Sequence, residues 1–223
     1  MLKGLLILLL SSFLLFSCSK KNIGQVISEP TDEEKAVIIY AEAVESLNEG
    51  DAYYAGTKFK EVESLTPQSK WAEKASLMAS YAEYSRNAYS NAIFALERHI
   101  NNYPADKNIP YAHYLIAICY YEQILDEKKD LKPLLKAKEK FEFILSTYPE
   151  TDFATDARFK IDLIIDQLAA KEMSIARYYI KTKKWIPAIN RLKIVVDKYD
   201  RTVFIEEALH RLVEVYYTIG SVS

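Results

Sequence analysis

The strongest constraint on the fold is a spacing that recurs four times along the chain. It runs Gly50-Asp51-x-x-x-Ala55-x-x-x-Phe59-x-x-Val62-x-x-x-x-Pro67 in its first copy. Asn87-Ala88-Tyr89-x-x-Ala92-x-x-x-Leu96-x-x-His99-x-x-x-x-Pro104 is the second, and Ala137-x-x-x-Phe141-x-x-Ile144-x-x-x-x-Pro149 the third. In the fourth, Trp185-x-x-Ala188-x-x-x-Leu192-x-x-Val195-x-x-x-x-Asp200, Asp replaces the closing Pro. Steps of four and three residues place the alanine and the two bulky side chains on one helix face. A small residue lets two helices approach, bulky ones fill the next interface, and Pro cannot continue the helix. This is the second-helix pattern of a tetratricopeptide repeat.

A first helix precedes each copy, over about 32–48, 69–86, 110–125 and 151–183, with Ala43, Ser80, Ala117 and Ala176 near the packing crossings. Thr31 and Glu34 are spaced as a capping box at the first of them. A ninth helix is predicted over about 203–219. The repeat alanines are 37, 45 and 51 residues apart, against about 34 in the standard repeat. An insertion at about Asp126 to Pro133 lengthens the second interval. A long first helix, free of Gly and Pro from Asp152 to Lys184, lengthens the third. The expected fold is an all-α tetratricopeptide-repeat solenoid of about five irregular helix-turn-helix repeats. They cover about 32–67, 69–104, 110–149, 151–200 and a partial 203–223. Few Gly and few β-branched runs argue against a sheet protein.

The first thirty residues read differently. Lys3 supplies a short positive region, and Leu5 to Phe16 form an apolar run broken only by Ser11 and Ser12. The run is shorter than the ~20 apolar residues of a membrane-spanning helix. It ends in Leu15-Phe16-Ser17-Cys18, which resembles a bacterial lipobox, with Phe16 larger than usual there. The reading is a signal peptide over 1–17, acylation of Cys18, and a polar tether over 18–31. Each buried methylene contributes about 0.8 kcal/mol and stable anchoring takes about two chains, so three acyl chains hold firmly. Asp after the Cys commonly signals inner-membrane retention in Gram-negative lipoproteins, so Ser19 favours the outer membrane. The alternative is a secretory signal with a chance Cys at its end. The other cysteine, Cys119, lies in an apolar run and reads as a small core residue.

The chemistry of an enzyme is not visible. His99, His113 and His210 form no metal-ligand spacing, and no glycine-rich phosphate loop or Gly-x-Ser-x-Gly elbow is present. Neither a cofactor nor a metal is expected. Removing residues 1–17 takes away one cation, Lys3, and moves the formal charge from −2 to −3, so no basic surplus suggests nucleic acid. The 17 tyrosines are more informative. First helices line the concave face of such a solenoid, and the copies align Tyr40, Leu77, Tyr81, Tyr84, Tyr114, Ile118 and Tyr121 on or near it. Tyr joins apolar area to a hydroxyl, which suits a groove holding an extended peptide. Core packing is the competing reading for each one.

Several segments carry a resemblance. Asp166-Gln167-Leu168-Ala169-Ala170-Lys171-Glu172-Met173, Ala176-Arg177-Tyr178-Tyr179 and Ala188-Ile189-Asn190-Arg191 are similar to the long helix and fourth repeat of the BamD family of outer-membrane lipoproteins. Tyr111-Ala112-x-Tyr114-Leu115 and Tyr120-Tyr121-Glu122-Gln123 resemble that family's third repeat. The similarity covers about residues 18–220. The chain departs from the family at Ile116-Ala117, where Arg-Gly is common, and at Thr66-Pro67, where Tyr-Pro is.

The resemblance implies a non-enzymatic scaffold of the β-barrel assembly machinery, lipid-anchored on the periplasmic face of the outer membrane. Its implied partners are a POTRA domain of BamA, other lipoproteins of the machinery, and unfolded outer-membrane β-barrel proteins. Arg191 matches a family Arg that contacts the POTRA domain. Tyr40, Tyr81, Tyr84, Tyr114 and Tyr121 would contact the client peptide. A periplasmic repeat scaffold coordinating cell-wall enzymes, of the CpoB or YbgF type, is the alternative, and an inner-membrane lipoprotein chaperone is a third. The last helix carries two apolar stripes, Phe204, Ala208, Leu212, Val215 and Ile219 beside Ile205, Leu209, Val213 and Tyr216. Together they exceed what one neighbour covers, so an exposed strip is expected there, through truncation or for a partner to complete.

Overall fold

The computed structural model describes residues 29–123 and 131–221. Cys18, the tether to residue 28 and most of the expected insertion lie outside the described residues. Nine helices and no strand are found among the described residues. They are α1 (Asp32–Asn48), α2 (Ala52–Leu65), α3 (Lys70–Ser85), α4 (Tyr89–Asn102), α5 (Ile109–Glu122), α6 (Lys132–Thr147), α7 (Asp152–Lys181), α8 (Trp185–Lys198) and α9 (Ile205–Gly220). Each helix packs on the one before it and the one after it, and α1 also meets α3 and α5 meets α7. That nearest-neighbour order is the mark of a solenoid. The four first helices and the last helix start and stop within three residues of their expected bounds.

The repeated spacing becomes the core. Ala55, Ala92, Ala137 and Ala188 are all fully buried. So are Phe59, Leu96, Phe141 and Leu192 four residues on, and Val62, His99, Ile144 and Val195 three beyond those. The small residues of the first helices, Ala43, Ser80, Ala117 and Ala176, are buried too. Burying each large side chain stabilises the fold by about 1.5–3 kcal/mol. Enlarging an alanine at a crossing would cost about 1–3 kcal/mol by overpacking.

Three of the turns repeat at atomic detail. Gly50, Asn87 and Lys183, each five residues before a repeat alanine, take left-handed backbone with φ of 93°, 59° and 56°. At each, the next residue's N–H donates five residues back: Asp51 to Ser46, Ala88 to Glu83 and Lys184 to Tyr179. The left-handed residue itself donates three back, to Leu47, Tyr84 and Ile180. This Schellman pairing satisfies carbonyls that the helix end would leave open. Glycine enters that conformation freely, and Asn tolerates it; Lys183 is the costly one.

The core falls into three clusters. One holds α1 to α3 around Phe59, a second α3 to α7 around Phe141, and a third α7 to α9 around Met173 and Leu192. The 30-residue α7 carries the second cluster on its first half and the third on its last turns, and Tyr199 borders both. On α9, Ala208 and Val215 are buried while Leu209, Val213 and Tyr216 are exposed, Val213 at 69%. One apolar stripe therefore packs inward and its neighbour faces out.

Candidate functional site

The first helices α3, α5 and α7 bring a belt of aromatic rings together. Tyr81 and Tyr84, one turn apart on α3, have ring centroids 5.9 Å apart, and Tyr89 at the start of α4 extends the row at 6.1 Å from Tyr84. On α5 the same spacing pairs Tyr111 with Tyr114. Both tilt against Phe153 of α7, with centroids at 5.6 and 5.2 Å. The α3 and α5 rows border the same core cluster, with Tyr81, Tyr84, Tyr111 and Tyr114 all packed against it. The Tyr114 hydroxyl donates to Oδ2 of Asp156 at 2.6 Å. Further along α5, Tyr121 sets its edge on buried Phe141 at 6.4 Å, and Nζ of Lys160 stands 5.1 Å from its ring centre.

All these tyrosines are half-buried. Burial pushes the Tyr111 hydroxyl up to about 12. It raises Tyr114 as well, reinforced by the hydrogen bond to Asp156. It raises Tyr84, with Glu122 adding to it. Tyr84, Tyr111 and Tyr114 therefore stay protonated at neutral pH, and the half-buried belt offers apolar area beside O–H groups. The Cys119 thiol beneath it is pushed up to about 12 by burial, so it is no thiolate nucleophile. Among the described residues no group of three or more His, Cys, Asp or Glu could hold a metal ion, and no helix is long and apolar enough to cross a membrane.

Of the sequence-derived tyrosines, the structure gathers Tyr81, Tyr84, Tyr114 and Tyr121 around one core cluster. Tyr40 is placed elsewhere. Its ring lies edge-on to Phe59 at 5.2 Å and to Trp71 at 5.3 Å, within the α1–α3 cluster. Leu77 and Ile118 are core, each 7% exposed. The sequence reading missed Phe153, Asp156 and Lys160, which spacing along α7 could not assign to the face of α5. Arg191 is half-buried on α8, its Nη1 3.0 Å from Oε2 of Glu172 on α7.

A family model described as "Outer membrane lipoprotein", YfiO, matches residues 32–223. The chain belongs to the YfiO family of outer membrane lipoproteins. Curated relatives carry the name outer membrane protein assembly factor BamD. That of Caulobacter vibrioides is 41% identical over 85% of this chain and 62% of its own length. That of Rickettsia prowazekii is 35% identical over 96% of this chain and 83% of its own, and that of Neisseria gonorrhoeae 28% over 93% and 82%. The chain thus spans less than two thirds of the Caulobacter relative. The YfiO match covers all nine described helices, so the aromatic belt and the Arg191–Glu172 pair both lie within family territory.

Proposed function

We propose that this YfiO-family chain acts in outer membrane protein assembly as a non-enzymatic scaffold. Its aromatic belt receives extended segments of unfolded β-barrel proteins, and its C-terminal repeats dock a POTRA domain of BamA beside other lipoproteins of the machinery. The observation that carries the reading is the belt itself. Tyr81 and Tyr84 on α3 and Tyr114 and Tyr121 on α5 border one core cluster and are only half-buried, so each keeps part of its side chain accessible. Aromatic anchors of this kind dominate peptide interfaces, at about 2 kcal/mol or more each when well buried. Capture and release of a chain needs no bond chemistry. An acylated Cys18 would hold the scaffold on the periplasmic face of the outer membrane.

Pull-down from detergent-solubilised envelopes tests the assignment. Enrichment of BamA is expected. Enrichment of peptidoglycan synthases in its place would favour a cell-wall scaffold. Mass spectrometry of the mature N-terminus checks the anchor, and an unmodified Cys18 there would refute it.

A further inference from the structure

The second helices carry a surface that the client-binding reading does not use. A cleft of about 260 Å³ lies between α2 and α4, lined by Lys60, Glu83, Asn91, Phe94, Ala95 and Arg98. Its charges are arranged in depth. Glu83 and Glu63 sit low, with side chains 11% and 13% exposed, while Lys60, Arg86 and Arg98 stand above them at 52%, 38% and 40%. Nζ of Lys60 is 3.0 Å from Oε1 of Glu83, and Nη1 of Arg86 is 3.7 Å from its Oε2. Nη2 of Arg98 is 2.7 Å from Oε2 of Glu63. The sunken carboxylates thereby hold Lys60 and Arg98 by hydrogen bonds, with Arg86 in looser ion-pair range. Each cation keeps about a third to a half of its side chain exposed, and each has more N–H donors than one carboxylate uses. Two large aromatics flank them. Phe94 is 71% exposed on α4, and Tyr53 is 70% exposed on α2 with the Arg86 guanidinium 5.2 Å over its ring.

We propose that this cleft is a second polypeptide-binding surface, selective for an acidic segment that carries aromatic or large apolar side chains. Carboxylates of the segment would meet cations whose geometry is already set, which lowers the ordering cost of binding. Its apolar side chains would cover Phe94 and Tyr53, the kind of exposed aromatic that marks an interaction site. A cleft of this size takes side chains, which favours a peptide over a lipid surface. The surface stands on α2, α4 and the end of α3, and none of its charged or aromatic groups is a belt tyrosine, so it does not depend on the role assigned to the belt.

The test uses fluorescence anisotropy of a rhodamine-labelled Asp-Phe-Asp-Leu-Glu-Phe peptide, a Lys-Phe-Lys-Leu-Lys-Phe control and phosphatidylglycerol vesicles. The acidic peptide should bind and the basic one should not. Phe94→Ser and Arg98→Gln should each weaken binding about tenfold, and added salt should weaken it further. Phe94 is exposed, so its variant should melt like the parent, and Tyr84→Ala should leave this binding unchanged. Equal binding of both peptides, no binding of the acidic one, or indifference to both cleft variants would overturn the proposal. So would vesicle binding that depends on Phe94 and Arg98 without peptide binding, which would make the surface a lipid contact.

Discussion

The Tyr114 hydroxyl on α5 and the Asp156 carboxylate on α7 are joined by a 2.6 Å hydrogen bond between residues 42 apart in sequence. The bond fixes the first helices of two successive repeats at the height of the aromatic belt. Both side chains are half-buried, so Tyr114→Phe should cost about 1 kcal/mol, less than the about 1.5–3 of a charged hydrogen bond in a dry site. Burial, and then Asp156, raise the Tyr114 hydroxyl above its ordinary value. A raised value means that the stabilisation is complete below about pH 10 and is lost as pH rises beyond it. Thermal melts at neutral and alkaline pH should show a smaller alkaline loss in Tyr114→Phe than in the parent. Identical alkaline slopes would contradict the pairing.

Tyr40 should behave as a core residue. Its ring is wedged between Phe59, which is fully buried, and Trp71. Tyr40→Ala should lower stability by about 2–4 kcal/mol, near the range for truncating a core aromatic. Denaturant melts would check this, with peptide binding at the belt kept in the material that remains folded. A stable variant that loses peptide binding would return Tyr40 to the groove.

Arg191 faces a carboxylate already. Its Nη1 lies 3.0 Å from Glu172, whose side chain is 16% exposed. An Arg held by a sunken carboxylate is set to offer its remaining N–H groups to a partner. Arg191→Glu should weaken BamA binding in a calorimetric titration, and Glu172→Gln should weaken it less. Arg191→Lys should restore charge without the planar fork, and so only part of the affinity. Unchanged affinity in Arg191→Glu would refute the contact.

His99 takes the place that Val62, Ile144 and Val195 hold in the other repeats, and it is fully buried. Burial holds its imidazole below the ordinary value, outweighing the Asp106 carboxylate 3.2 Å from Nε2. As pH falls, the unfolded chain takes up this proton before the folded one. Stability is therefore complete above about pH 6.5 and falls below it, toward the folded-state value. His113, lowered by burial and then by Lys140, acts in the same direction. Melting temperatures between about pH 7.5 and 5.5 should fall in the parent and fall less in His99→Gln. Equal falls would show that His99 does not set the acid response.

Much of this architecture was legible in the residues. A small side chain followed four and seven positions later by bulky ones can bury all three only on one helix face, and in every copy it does. The Gly50 turn was legible for the same kind of reason. Its counterpart at Lys183 was not, because nothing in a lysine announces left-handed backbone. The face of the belt was legible at Tyr81, Tyr84 and Tyr114, where helical spacing suffices. Asp156 and Phe153 were hidden, since their roles depend on how α7 is rotated against α5. Tyr40 shows the same limit in reverse. It shares the first-helix spacing of the others, yet its ring packs edge-on against Phe59 and Trp71 of a different core cluster, a neighbourhood set by packing between helices.

The central claim is that the belt on α3, α5 and α7 captures extended barrel segments. Photocrosslinkers in place of Tyr81 and Tyr84, offered peptides from the C-termini of β-barrel proteins, test it most directly. Strong crosslinking that scrambled peptides of equal composition do not match, and that Tyr114→Ala and Tyr121→Ala reduce in folded protein, is the predicted result. Equal labelling by scrambled peptides would contradict it, as would no labelling above that of a crosslinker placed at exposed Phe159.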